Sequence, residues 1–121
     1  MDTEMLARDI ANCLEDKLGL NIIILEVEQL VGYASHFVIA SGRSERQVQA
    51  LADHIKVKMK AEHDVMPLSM EGLQGGKWAL VDFGDVVVHI FREDERDFYD
   101  LEGLWRDAPK VERTAPVQAA Q

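Results

Sequence analysis

The spacing of hydrophobic and polar residues changes several times along the chain, and each change predicts a new element. Residues 2–18 carry apolar side chains three and four positions apart, which is typical of an amphipathic helix that buries one face. These side chains are Leu6, Ile10, Cys13, Leu14 and Leu18. Gly19 is a suitable helix terminator, and the β-branched run from Ile22 to Val27 then predicts a strand buried over most of its length.

A second strand and a second helix follow in the same way. Phe37 to Ala40 is a short apolar strand, and the period of the pattern lengthens after Ser41 to that of a helix. Ser44 and Gln47 form a capping-box signal, which places the start of the helix at Ser44. The apolar stripe of this helix comprises Val48, Leu51, Ala52, Ile55 and Met59.

A long irregular connection is predicted after this helix, because Pro67 and the glycines at positions 72, 75 and 76 interrupt any regular pattern. Connections of this length in a small domain are usually functional or mobile. Glu71-Gly72 and its neighbours are therefore candidates for function or mobility.

The stretch from Trp78 to Phe91 predicts a β-hairpin with a two-residue turn at Gly84-Asp85, which fixes the register so that Phe83 faces Val86. One face then pairs Val81 with Val88 and Ala79 with Ile90, and the other pairs Asp82 with Val87, Leu80 with His89 and Trp78 with Phe91. The first face is wholly apolar and belongs in a core. The second mixes aromatic and apolar residues with a carboxylate and an imidazole, so it is either covered by something polar or is a docking surface.

An acidic helix is predicted from about Glu93, with an apolar edge formed by Phe98, Leu101, Leu104 and Trp105. Pro109 ends the predicted domain of residues 1–109, and we expect residues 110–121, which are polar and rich in Ala and Gln, to form a disordered tail. The element order predicts an α/β fold, in the form of an α+β sandwich. It has a small mixed sheet of four strands, with helices mainly on one face and Trp78, Leu80 and His89 on the other.

Composition narrows the class of protein. At 121 residues with 47% hydrophobic residues, the chain suits one folded domain. A formal net charge of −9 argues against unaided, sequence-specific binding of nucleic acid and fits a basic protein partner, although such a balance also simply aids solubility. The chain shows no leader-like segment and no apolar stretch approaching the ~20 residues of a membrane span, so we expect a cytoplasmic protein without membrane contact.

Residues that suggest chemistry have simpler structural explanations. The turn from Ser41 to Ser44 has neither P-loop nor dinucleotide-binding spacing, which favours a helix cap over a phosphate site. Asp82 and Asp85 do not indicate a divalent-metal site, because they lie at a strand end and in a turn, where Asp is favoured for backbone reasons. The four histidines do not have the spacing of a zinc site. Cys13 stands alone in an apolar stripe, which favours a buried core residue over a nucleophile. We therefore expect no cofactor and no metal.

Two residues of the hairpin region keep more than one interpretation. His89 is either a core histidine, satisfied by Asp82 or a backbone carbonyl, or an interface residue that offers a donor amid apolar surface. Trp105 is more readily a core residue than an interface anchor, although tryptophan is enriched at binding hot spots.

Several segments together carry a resemblance to a known family. They are Phe37 to Gly42, Arg46, Glu71-Gly72, Trp78, Val81 to His89, Arg96, Tyr99 to Glu102 and Leu104-Trp105. Over roughly residues 6–109 the chain resembles the ribosomal silencing factor family, also called the Iojap family. The most specific part is Asp82 to His89, together with the Tyr-x-Leu-Glu-x-Leu-Trp helix that follows.

The resemblance implies a nucleotidyltransferase-like fold without its catalytic carboxylates, and therefore no enzymatic activity. It further implies binding to the large ribosomal subunit through ribosomal protein L14, steric blocking of small-subunit joining, and repression of translation under nutrient limitation. Homodimers also occur in the family. The residues that we expect to bind the ribosomal protein are Trp78, Leu80, Asp82, His89, Phe91 and Tyr99. The chain departs from the family pattern at Ser35-His36 and at Gln47, which puts the helix cap or dimer contacts in question.

Two other functions remain open from the sequence. One is a nucleotidyltransferase-like enzyme that uses Asp82 and Asp85 with Mg²⁺, and heat released on titration with a nucleoside triphosphate and Mg²⁺ would distinguish it. The other is a dimeric structural module whose mixed hairpin face is buried between two copies. The mass of the protein in solution would distinguish that one.

Overall fold

The computed structural model describes residues 2–113 of the chain, which form an α+β fold. The helices are α1 (Thr3–Asp16), α2 (Glu28–Val31), α3 (Glu45–His63), α4 (Glu93–Tyr99) and α5 (Leu101–Leu104). The strands are β1 (Leu20–Glu26), β2 (His36–Gly42), β3 (Ser69–Glu71), β4 (Trp78–Asp82) and β5 (Val86–Arg92). The predicted fold class is confirmed, with one strand more than the four that the sequence suggested.

The strands form a single mixed sheet in the order β1-β2-β5-β4-β3. β2 and β5 are parallel neighbours, and the other neighbouring pairs are antiparallel. The additional strand is β3, which pairs with β4 inside the connection predicted to be irregular. Its three residues contain one apolar side chain, Met70, so no alternation was visible in the sequence.

α1 and α3 cover one face of the sheet and enclose the main core. Ser44 Oγ accepts a hydrogen bond from the backbone N–H of Gln47 at 3.1 Å, so the predicted helix start is confirmed. Leu18, predicted to lie on the buried stripe of the first helix, is exposed. The helix ends at Asp16, and Leu18 adopts a φ of 66°, which turns its side chain out of the stripe.

The hairpin has the register that its turn predicted. Trp78 pairs with Phe91, Leu80 with His89 and Asp82 with Val87. Phe83 N–H donates to the carbonyl of Val86 at 2.9 Å, and Gly84 closes the turn with a φ of 94°. The wholly apolar hairpin face points into the main core, as predicted.

The second sheet face is covered by the short helices and the segment that follows them. A second core lies there, formed by Leu25, Val27, Ala34, Phe37, Ile39, Val87, Phe91, Leu101 and Ala108. The prediction of a single acidic helix from Glu93 is wrong in one respect. α4 ends at Tyr99, because Asp100 has a φ of 47° and interrupts the helical backbone. Asp100 Oδ1 accepts from the N–H of Gly103 at 3.1 Å and so starts α5 in a new direction.

The start of the predicted tail is paired with β1 rather than free. Pro109 O accepts from the N–H of Glu26 at 2.8 Å, and Val111 N–H donates to Ile24 O at 2.9 Å. Residues 114–121 of the predicted tail lie outside the described residues. Within the described range, no helix is both long enough and apolar enough to cross a membrane.

Candidate functional site

The sheet face opposite α1 and α3 carries a continuous set of aromatic side chains, which we call the aromatic face. Its members are Phe37, Trp78, His89, Phe91, Tyr99 and Trp105. They come from β2, β4, β5, α4 and the end of α5, so residues distant in sequence meet on one surface. The mixed hairpin face predicted from the sequence forms the centre of this set.

Trp78 is the half-buried centre of the aromatic face. Its ring stacks on Phe91 with centroids 5.0 Å apart, and the ring of Tyr99 lies 4.8 Å away on α4. Its indole Nε1–H donates a hydrogen bond to Nδ1 of His89 at 3.1 Å. The indole is thus held by both stacking and a directional bond, while part of its surface remains accessible to a partner.

His89 lies beneath Trp78 and is only 4% exposed. Phe37 meets the imidazole edge to face, with ring centroids 4.7 Å apart. Burial lowers the pKa of His89 from 6.5 to about 4, so the ring is neutral at physiological pH. The interpretation of His89 as a core histidine is therefore confirmed as to its burial, but its partner is Trp78 rather than Asp82 or a backbone carbonyl.

The remaining predicted site residues separate into exposed and supporting positions. Tyr99 is 40% exposed and Leu80 is half-buried beside Trp78, so both are accessible. Phe91 has no exposed surface and therefore supports the face without reaching a partner. Asp82 accepts from the N–H of Gly84 at 2.7 Å, which gives its carboxylate a role in the hairpin turn.

A shallow groove of about 270 Å³ opens beside the centre of the face, between Trp78, Leu80, Glu71 and Gly72. Gly72 has a φ of 78°, and a Cβ there would collide with the carbonyl oxygen of Trp78. The Glu71-Gly72 segment predicted to be functional or mobile is therefore packed against β4. Its glycine permits this close approach of two backbones.

Phe98 and Leu104 extend the apolar surface beyond the predicted site. They are 79% and 68% exposed, and the ring of Phe98 lies 5.3 Å from that of Tyr99. The sequence predicted that both lie on the apolar edge of one helix, but α4 ends at Tyr99 and Leu104 lies on the separate helix α5 beyond the positive φ of Asp100. Helical spacing counted across that break does not predict which side chains are exposed.

Arg96 is a structural residue of this site to which sequence reasoning gave no role. Its guanidinium is buried, donates to Ser41 Oγ at 2.9 Å and forms two bonds to Glu102 at 2.9 and 3.0 Å. Arg96 therefore joins the end of β2 to both short helices, on either side of the break. This clamp holds the segment from which Phe98, Tyr99 and Leu104 project.

Acidic residues surround the exposed aromatic side chains. Residues 93–107 contain seven acidic and two basic side chains. Four of the acidic side chains are exposed on α4 and at its end, and we call them the acidic rim: Glu93, Asp94, Asp97 and Asp100. A hydrogen bond from Arg92 holds the pKa of Asp94 below its usual value, so this carboxylate is charged at neutral pH.

The other candidates for chemistry have structural roles. Burial raises the pKa of the Cys13 thiol to about 11, which fits the expected core residue and not a nucleophile. Asp85 presents its backbone carbonyl to the N–H groups of Ser35 and His36 at 2.7 and 3.1 Å. Across residues 2–113, no three His, Cys, Asp or Glu side chains are grouped so that they would hold a metal ion.

Comparison with known proteins assigns the chain to a family. Residues 1–121 match the family model described as "Ribosomal silencing factor during starvation". The chain belongs to the ribosomal silencing factor family. It is 40% identical to the ribosomal silencing factor of Halalkalibacterium halodurans over 93% of this chain and 95% of that protein. It is 41% identical to that of Bacillus subtilis over 90% of this chain and 92% of that protein.

A solved structure gives the same picture of the fold. The crystal structure of a protein from Chromobacterium violaceum aligns over all of both chains, with a TM-score of 0.84 and 35% sequence identity. The family model and these relatives confirm the resemblance to the ribosomal silencing factor family seen in the sequence.

Gln47 and Ser35-His36, the positions that the sequence resemblance marked as departures, lie at junctions of the fold. Gln47 Oε1 accepts from the N–H of Arg43 at 2.6 Å, and its Nε2 donates to Leu18 O at 3.1 Å. Gln47 therefore completes the cap of α3 and also joins it to the end of α1. Ser35 and His36 meet the hairpin turn through the two bonds to Asp85.

Proposed function

We propose that this chain binds the large ribosomal subunit through ribosomal protein L14, using its aromatic face, and sterically blocks joining of the small subunit. Repression of translation under nutrient limitation would follow from that block. Membership of the ribosomal silencing factor family supports a ribosomal partner. The observation that carries the docking assignment is the exposed cluster of Phe98, Tyr99 and Leu104 beside Trp78.

The exposed cluster has the character of a protein interface. Large aromatic side chains provide most of the binding energy at such sites, and they do so from the centre of a patch that excludes water. Trp78 is already held on three sides, by Phe91, Tyr99 and His89, so docking it costs little side-chain entropy. The aromatic face thus offers an ordered anchor to a partner.

The charge around the cluster favours a basic partner. The acidic rim places carboxylates beside the exposed apolar residues, and a formal net charge of −9 repels bare phosphate backbones. A basic ribosomal protein satisfies both features, since its cations pair with the rim while its apolar residues meet the cluster. The mechanism is occlusion and requires no catalysis. No feature of Asp82 or Asp85 favours the alternative of a magnesium-dependent enzyme.

Substitutions at two exposed aromatic positions test the docking assignment. We expect Trp78→Ala and Tyr99→Ala each to weaken binding to purified large subunits, because each removes a ring from the accessible face. A loss of about 2 kcal/mol corresponds to roughly thirtyfold in affinity. Co-sedimentation with large subunits measures the affinity, and a subunit-joining assay measures the block.

Val57→Ala is the matched control, because Val57 is 62% exposed on α3, on the opposite side of the sheet. Affinity equal to the parent in both aromatic variants would rule out this face as the docking site. A second copy of the chain is the competing occupant of the face. Sedimentation equilibrium of the free protein distinguishes the two occupants. If a second copy covers the face, the protein is a dimer, and Trp78→Ala dissociates it.

A further inference from the structure

The hydrogen bond between Trp78 and His89 determines where His89 carries its proton. An indole N–H only donates, so Nδ1 of His89 must accept, and the 3.1 Å distance fits such a bond. The neutral ring therefore carries its proton on Nε2. Burial keeps the ring neutral, so this tautomer is the form present when the protein docks.

The same tautomer leaves a buried donor without a partner. Nε2 of His89 is shielded from solvent and has no hydrogen-bond partner within residues 2–113. A buried, unpaired N–H destabilises a fold, because the group loses its hydrogen bonds to water and gains none in return. Considered as a core residue alone, His89 is thus a poor choice for its position.

Packing around the ring does not require an imidazole. Phe37 meets it edge to face, and Trp78 and Phe37 enclose it from β4 and β2. A phenyl ring makes the same kinds of contact and carries no polar atom. The one interaction that a phenyl ring cannot make is acceptance of the Trp78 N–H.

We propose that His89 is a positioning residue, which holds the Trp78 indole in one orientation for docking at the expense of an unpaired donor in the core. The proposal rests on the proposed function, because it assigns His89 a role in the docking of Trp78. His89 itself does not meet the partner. It acts through the orientation of its neighbour.

Two substitutions separate positioning from packing. His89→Phe keeps an aromatic ring and removes the acceptor, whereas His89→Asn places its Oδ1 where Nδ1 lies and so keeps an acceptor for Trp78. His89→Leu is a smaller apolar variant, for use if the phenyl ring does not fit. Each variant is compared with the parent in three measurements: urea unfolding, the indole N–H signals in a proton–nitrogen NMR spectrum, and affinity for purified large subunits.

We expect His89→Phe to unfold at the same urea concentration as the parent or a higher one. The Trp78 indole N–H signal should move upfield and exchange faster with water, while the Trp105 signal stays in place and serves as an internal control. Affinity for the large subunit should fall about fivefold, as loss of one hydrogen bond predicts. His89→Asn should restore the Trp78 signal and most of the affinity.

Three results would overturn the proposal. They are an unchanged Trp78 signal in His89→Phe, parental affinity in His89→Phe, and a loss of stability in both apolar variants, which would make the imidazole a packing residue. These failures leave the proposed function standing if Trp78→Ala still binds weakly. Parental affinity in Trp78→Ala and Tyr99→Ala, in contrast, removes the proposed function itself.

Discussion

At the scale of single residues, the site depends on side chains whose burial differs from what their chemistry suggests. Phe98 is aromatic and exposed, whereas Arg96 and His89 are polar and buried. Each of the two buried polar residues has a specific partner, since Arg96 bonds Ser41 and Glu102 and His89 accepts from Trp78. Buried polar groups with defined partners are typical of sites whose geometry matters.

His89 predicts how stability depends on pH. Its pKa is about 4 in the folded protein against 6.5 for an ordinary histidine, so the unfolded chain binds more protons between these values. The free energy of unfolding should therefore fall as pH decreases from about 6.5 to 4, by about 3 kcal/mol in total from this residue. Urea unfolding of the parent and of His89→Phe across that range measures the effect.

The difference between parent and variant isolates His89. His54, whose pKa burial also lowers, adds a contribution of the same sign in both proteins. If the difference in unfolding free energy between the two proteins stays constant from pH 7 to pH 4, folding does not lower the pKa of His89.

At the scale of elements, the short helices α4 and α5 present the exposed cluster, and neither is stable by itself. Four to seven residues are too few for an isolated helix, so tertiary contacts must hold them. The Arg96 clamp supplies such contacts from both sides of the break at Asp100.

Removing the clamp should destabilise this segment. In Arg96→Met the buried Ser41 hydroxyl and the carboxylate of Glu102 both lose their partner, and we expect a loss of about 2–3 kcal/mol in unfolding free energy. Arg96→Lys keeps the charge without the planar fork, so it should recover only part of the loss. Urea unfolding is the measurement, and a parental midpoint in Arg96→Met would mean that packing alone holds the segment.

At the scale of the whole molecule, the two faces of the sheet differ in role: one forms the main core and the other carries the aromatic face. α1 and α3 cover one face and enclose the main core. The other face is built from segments far apart in the chain, with Ser41 bonded to Arg96 across 55 positions. The acidic rim lies on the second side, next to the exposed cluster. The negative charges of the acidic rim and the exposed apolar cluster would therefore contact the same partner surface.

This arrangement predicts that docking is salt-dependent. Raising the ionic strength from about 0.05 to 0.5 M should lower affinity for the large subunit at least about threefold, because screening weakens the attraction between the rim and a basic partner. Asp97→Asn should reduce that dependence, whereas Trp78→Ala should lower affinity equally at every salt concentration. Co-sedimentation in a salt series measures both, and affinity that rises with salt would contradict a role for the rim.

Local interactions explain what the sequence by itself determined. The Gly84-Asp85 turn sets the hairpin register within a few residues, and Ser44 caps α3 through the N–H of Gln47 three positions on. The apolar periods of both long helices and the two faces of the hairpin follow from the same short-range rules. The family resemblance also rested on these contiguous segments.

Only the tertiary structure decided the features that depend on distant residues or on a single backbone angle. β3 exists because β4 offers it a partner, and Leu104 lies on a second short helix because α4 ends where Asp100 adopts a positive φ. His89 became a buried acceptor because Phe37 from β2 covers it and Trp78 points its N–H at Nδ1. Burial and hydrogen-bond geometry arise from the meeting of separate segments, and spacing along one chain does not encode them.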